Sequence, residues 1–237
     1  MSEFSVIIPT LQRAAELHEL VEMCAAHSRV LEVLVINNAR EPLAWGSPKV
    51  RVLQQAENIY VNPAWNLGAR EARGKYLAIL NDDVLFEPEL LDAAADWLTD
   101  HRVGVIGAHP DAYLPGADAS PRLGRRIVRR PNGFGVVMFL RRDAYIPIPA
   151  DLLVYGGDEW LVRCAPGTPR AFKGGQLRTP MSATSGGVEF SPLKAREMDW
   201  MMREFYRVGR PSQRAVSLAQ LAKHRAGDLI RGGSSTR

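Results

Sequence analysis

Short apolar runs that end in polar residues, separated by amphipathic stretches, fill the first 110 residues and leave few folds open. Residues 4–8 form a β-branched run stopped by Pro9, the pattern of a buried strand. Over residues 14–28, Leu17, Leu20, Val21, Cys24 and Ala25 recur at helical spacing with Glu and His between them, which predicts an amphipathic helix. Further strands are expected at 31–36, ending in Asn37-Asn38, more weakly at 50–53, and at 76–80, ending in Asn81-Asp82-Asp83. A helix is expected over 63–73, closed by a left-handed Gly74, and another over 88–100 with Pro88 in its first turn. A strand follows at 103–108. Strands alternating with helices at this spacing predict a mostly parallel α/β sheet. The polar residues after several strands stand where open sheets of this kind bind ligands.

Beyond residue 110 the pattern changes. Residues 111–132 are rich in Pro, Gly, Asp and Arg, too long for a simple connection and of the kind that carries function or disorder. A strand is expected over 134–140, a short helix opening at Asp158, strand and loop over 173–187, and helices over 192–208 and 212–225. The division that results is one α/β domain over 1–190, with halves meeting near residue 110, and a helical C-terminal extension over 191–237 with a frayed basic end.

Charge is distributed unevenly. Residues 1–110 carry a net −6, residues 111–132 a net +3 and residues 199–237 a net +5, within a chain of net +4. The basic segments could serve an anionic partner. At 46% hydrophobic and 24% charged the chain is neither disordered nor collagen-like, and 237 residues suffice for one sizeable core. No apolar run approaches the roughly 18 residues of a membrane span. The N-terminal stretch shows neither a basic segment nor a small-residue cleavage site, so no secretory signal is expected. Cys24 and Cys164 are too far apart for a paired motif; inert thiols and a cytoplasmic setting are expected.

Asn81-Asp82-Asp83 carries the most chemistry. Aspartates crowded at a strand end in an acidic half are costly without a cation, and Mg²⁺ or Mn²⁺ takes one or two carboxylates plus phosphate oxygens. An Asp-Asp pair also serves as an ordinary turn or helix start, so the motif is informative through its surroundings. Residues 5–13, SVIIPTLQR, resemble the opening strand of family 2 glycosyltransferases of the GT-A fold, and residues 33–38, VLVINN, are similar to their second strand. Residues 66–84, NLGAREARGKYLAILNDDV, resemble the family's helix, strand and DXD-type motif. Residues 133–142, GFGVVMFLRR, resemble its acceptor-side strand, and 155–163, YGGDEWLVR, its acidic catalytic segment. These matches run in family order over residues 4–165.

The resemblance implies a Rossmann-like GT-A domain that moves a sugar, with inversion, from a nucleoside-diphosphate donor (UDP-, GDP- or dTDP-linked) to a hydroxyl. Pro9, Thr10, Arg13, and Asn37 or Asn38 would border base and ribose; Asn66 and Arg70 would flank the nucleotide. Asn81 would lie near the ribose, Asp83 would hold Mn²⁺ or Mg²⁺, and Asp82 would assist either. Asp158 would be the general base, with Glu159 as its understudy. Trp160 would stack on a sugar or acceptor ring. From its charge alone, the basic 111–132 segment, Arg129 and Arg130 included, is compatible with a polyanionic acceptor; the acceptor class, whether glycan, lipid phosphate, protein or hydroxylated nucleobase, is open. Peripheral membrane contact and oligomeric state are left open. The sequence departs from the pattern in two places: Asn37 stands where Asp is common, and residues 176–187 lack the histidine that completes the metal site in many relatives. Two other readings share this sheet. A nucleotidyltransferase would want a glycine- and basic-rich loop after the first strand, which residues 9–13 do not offer; a glycan- or polyanion-binding protein without turnover would tolerate the missing histidine.

Overall fold

A computed structural model of the chain describes residues 3–116, 118, 120–180 and 190–232, with side chains up to residue 222. Eight strands form one sheet in the order β3-β2-β1-β4-β7-β5-β8-β6. They are β1 (Phe4–Thr10), β2 (Val30–Asn37), β3 (Val50–Gln54), β4 (Tyr76–Leu80), β5 (Val103–Ala108), β6 (Arg122–Arg126), β7 (Val137–Arg141) and β8 (Thr168–Lys173). The helices are α1 (Leu17–Ala26), α2 (Val61–Glu71), α3 (Glu89–Trp97), α4 (Gly157–Cys164), α5 (Ser191–Glu204) and α6 (Pro211–Gly232). Six strands share one direction; β7, inserted between β4 and β5, and β6, at the edge, run against their neighbours.

β1 is buried along its whole length, which is why it reads as an unbroken apolar run. Its alternation sorts the core. Phe4, Val6 and Ile8 join Leu20 and Cys24 of α1 and Leu90 and Leu91 of α3 on one face. Ile7 faces the other way, toward Trp65 of α2, Leu161 of α4 and Phe205 beyond α5. From β1 the chain winds outward through β2 and β3, then returns to place β4 on the other side of β1. A crevice therefore opens at the C-terminal ends of β1 and β4, the ends that carry Thr10 and Asn81-Asp82-Asp83.

Several expected details differ. Pro9 does not stop β1: it pairs in register with Ile36 and the strand runs on to Thr10. α2 ends at Glu71, two residues short of the expected end. Gly74 is not a left-handed cap; a Cβ there would lie 2.5 Å from the Ser5 backbone nitrogen, so the glycine allows two chain segments to touch. Residues 134–136 form a 3₁₀ turn, and β7 begins at Val137. The stretch 111–132 contains a short 3₁₀ turn and β6, antiparallel to β8. Part of the 173–187 stretch, from residue 181, lies outside the described residues, as does the side chain of His224. Cys24 is fully buried with its thiol pushed up to about 12, and burial raises Cys164 to about 11, so both are inert thiols at neutral pH. Among the described residues no helix is long and apolar enough to cross a membrane.

Candidate active site

The crevice holds a cleft of about 260 Å³. Its lining comes from the ends of β1 and β4, the entry to α2, the 3₁₀ turn before β7 and the start of α4. Thr10, Asn38, Asn81, Asp82, Asp83, Arg130 and Asp158 all border it, residues far apart in sequence brought to one place.

On the β4 side, Asp82 and Asp83 are buried. The Thr10 hydroxyl donates to Asp82 at 2.6 Å. Even so, burial, with Asp83 as a negative neighbour, pushes the Asp82 carboxyl up to about 6. Burial also raises Asp83, offset in part by hydrogen bonds from the Thr179 and Asn81 side chains. Glu16, at the start of α1, adds negative field to both. Asp83 Oδ1 is buried and, among the described residues, has no hydrogen-bond partner; the same holds for the indole nitrogen of Trp65, which borders the same cleft. A buried, unpaired carboxylate oxygen in a negative field fits a cation. Among the described residues no three His, Cys, Asp or Glu side chains converge as a metal cage.

Across the cleft, Gly156 adopts φ +77° and α4 begins at Gly157, placing Asp158 in its first turn. A Cβ on Gly157 would collide with Asn62 of α2, and one on Gly135 would sit 2.9 Å from Asp158 Oδ2. These glycines let the carboxylate lie against the cleft wall. Asp158 Oδ1 accepts the Glu159 amide at 2.8 Å, and Arg130 Nε lies 3.0 Å from Oδ2. Burial raises the Asp158 carboxyl above its ordinary range and the Arg130 guanidinium pulls it back down. A carboxyl tuned upward beside a cleft is the expected state of a general base.

The family model for glycosyl transferase family 2 matches residues 5–150, more than half the chain. The chain belongs to glycosyl transferase family 2. Solved structures share the fold at low identity. S. aureus TarS matches with a TM-score of 0.61 at 15% identity over 93% of this chain and 43% of that one. TarS 1–349 in complex with UDP-GlcNAc gives 0.61 at 17% identity, over 93% and 71%. The mannosyltransferase PcManGT from Pyrobaculum calidifontis, in complex with GDP-Man and Mn²⁺, gives 0.50 at 16% identity over 98% and 79%. In the first matches the chain spans 57% of TarS 1–349 and 43% of TarS. No curated protein matches. The fold is thus GT-A.

Not every residue expected from the family 2 resemblance reaches the cleft. Pro9, Thr10, Asn38, Asn81, Asp82, Asp83, Arg130 and Asp158 line it. Asn37 does not. Its amide donates to the Glu41 carbonyl and to Gln54, and its oxygen accepts from Gln12 and the Ala39 amide, so its capacity is filled in holding the loop after β2. Asn66 is likewise committed to the fold: its oxygen accepts from the Tyr145 hydroxyl and the Ile148 amide, and its amide donates to the Ile148 carbonyl. Arg70 is exposed on α2 beside Glu71, and Arg13 and Arg129 are exposed outside the cleft lining. Glu159 is clamped by Arg163 at 2.7 Å. Trp160 donates to the Pro147 carbonyl and packs against Trp200 and Phe205; its ring belongs to the junction with the C-terminal helices rather than to the cleft lining.

The structure adds residues that sequence reading missed. Tyr60, at the entry to α2, lines the cleft at φ 65° and ψ 176°, a region essentially reserved for glycine. Tyr155 and Phe190 also line the cleft. A non-glycine residue at such angles has no sequence signature.

Proposed function

We propose that this chain transfers a sugar from a nucleoside-diphosphate donor to an acceptor hydroxyl in one displacement, with inversion at the anomeric carbon. The observation that carries the reading is the buried Asp83 oxygen, unpaired among the described residues, on the same cleft as Asp158. Asp83 would hold Mn²⁺ or Mg²⁺, with Asp82 beside it, and Thr10 and Asn81 would fix the two carboxylates. When bound, the divalent ion would neutralise negative charge on the diphosphate leaving group. Thr10, Asn38 and Asn81 would border the nucleoside. Asp158 takes the proton of the acceptor hydroxyl; the acceptor oxygen bonds the anomeric carbon as the bond from that carbon to the phosphate oxygen breaks, its electron pair leaving with the nucleoside diphosphate. Arg130 lies against Asp158, where it opposes the upward push of burial on that carboxyl, and, as a guanidinium, can also face phosphate.

The acceptor we propose is anionic. Arg125, Arg126 and Arg129 are exposed on β6 and the segment leading to Arg130, and among the described residues none of the three pairs with a carboxylate. In this proposal residues 1–110 form the donor half, 111–190 the acceptor half, and 191–237 an extension. The test is incubation with Mn²⁺ and UDP-, GDP- and dTDP-sugars, with release of the nucleoside diphosphate as readout. The expected result is metal-dependent release from one donor class. Pyrophosphate as product would indicate a nucleotidyltransferase, and metal-independent binding without release a binding protein.

A further inference from the structure

The segment that presents Asp158 is held by a residue from outside the family match. Glu197 of α5 is fully buried. Its carboxylate accepts three consecutive backbone amides: Leu153 on Oε1 at 2.9 Å, and Val154 and Tyr155 on Oε2 at 3.0 and 2.7 Å. Three amides converging on one carboxylate make an anion nest filled from within the chain, and charge-assisted bonds of this kind are stronger than neutral ones. From the opposite side Asn62 of α2 donates to the carbonyls of Leu152 and Tyr155, and its amide donates to that of Leu153. Both faces of the segment are therefore fixed. Val154, Tyr155, Gly156, Gly157 and Asp158 follow in unbroken succession along the cleft wall. One turn along α5 from Glu197, Met201 packs so closely on Gly156 that any Cβ there would collide with its sulfur.

We propose that Glu197 is a positioning residue for sugar transfer, setting the aim of Asp158 through the backbone of residues 153–157. The inference rests on Asp158 acting as the base. α5 is on this account part of the active site, although Glu197 never touches substrate. Replacing one carboxylate oxygen by an amide group presents hydrogens to amides that already donate, so Glu197→Gln disrupts the nest at almost constant volume.

The experiment compares the full-length wild type with Glu197→Gln and Glu197→Asp. It measures turnover on the donor released by the wild type, affinity for the matching nucleoside diphosphate with Mn²⁺, and amide exchange over residues 153–158. In the wild type, the amides of residues 153–155 are expected to exchange slowly. In Glu197→Gln we expect kcat to fall at least 10-fold, nucleotide affinity to stay within 3-fold, and exchange to accelerate at 153–158. Glu197→Asp, which keeps the charge, is expected to recover part of kcat. Wild-type kcat in Glu197→Gln, or equal losses of kcat and nucleotide affinity, would overturn the proposal. So would fast wild-type exchange at 153–155, a readout that stands even if both variants fail to fold. Absence of any wild-type turnover, with slow exchange intact, would instead sink the assignment of Asp158 on which the proposal rests.

Discussion

Asp82 and Asp83 show at single-residue scale how a site can be built against local stability. The Asp82 carboxyl is raised from 3.8 to about 6, so the folded state binds its proton more tightly than the unfolded chain does. Stability from this group is therefore lost as pH rises from about 4 through 6, and the full cost is present at neutral pH. In metal-free buffer, Asp82→Asn is expected to unfold at higher denaturant than wild type at pH 7.5, by up to about 3 kcal/mol, and to match it near pH 3.5. Equal stabilities at both pH values would contradict the burial argument. Arg130 acts in the opposite direction on Asp158, holding it down. Arg130→Ala is expected to move the acidic limb of the pH–rate profile to higher pH while lowering the plateau rate; an unmoved limb would separate Arg130 from the base. Asn81-Asp82-Asp83 was legible because a polar cluster directly ends an apolar strand. Asn37 and Asn66 were not, because their partners, Gln54 and Tyr145 among them, come from segments whose proximity only the fold creates.

At the scale of elements, the strand–helix alternation of the first 110 residues could be read directly, since β1, β2, β4 and β5 are buried almost throughout; the half-buried edge strand β3 gave the weaker signal. β6 was hidden, because an edge strand of sequence RLGRR that is mostly exposed carries no apolar signal. The start of α4 was legible from Gly156-Gly157-Asp158, yet the need for Gly135 was not. Its missing side chain leaves room for Asp158 from 23 residues away. Gly135→Ala is expected to fold with a modest loss of stability and to lower turnover at least 10-fold, measured by donor release, because the new methyl group would press on the Asp158 carboxylate. Unaltered turnover would show that Asp158 can shift without consequence. Tyr60 belongs with these: its backbone angles at the entry to α2 are strained, of order 1–3 kcal/mol, at the point where the helix meets the cleft.

At the scale of the molecule, Glu16 from the acidic first 110 residues adds to the negative field at Asp83, and Arg130, near the end of the basic 111–132 segment, lines the same cleft. The C-terminal helices read as an extension in sequence; buried Glu197 and Phe205 and partly buried Met201 join them to α4 and the segment before it. Their role could not be read because a lone Glu in a helix looks solvated. A cation at Asp83 is the premise of the proposed transfer. Its most direct test is isothermal titration of UDP or GDP into the full-length protein with and without Mn²⁺, in wild type and Asp83→Asn. The expected result is nucleotide binding that strengthens at least 10-fold with Mn²⁺ in wild type and loses that gain in Asp83→Asn. Binding in wild type that ignores Mn²⁺, or an Asp83→Asn variant that keeps the full metal dependence, would contradict it.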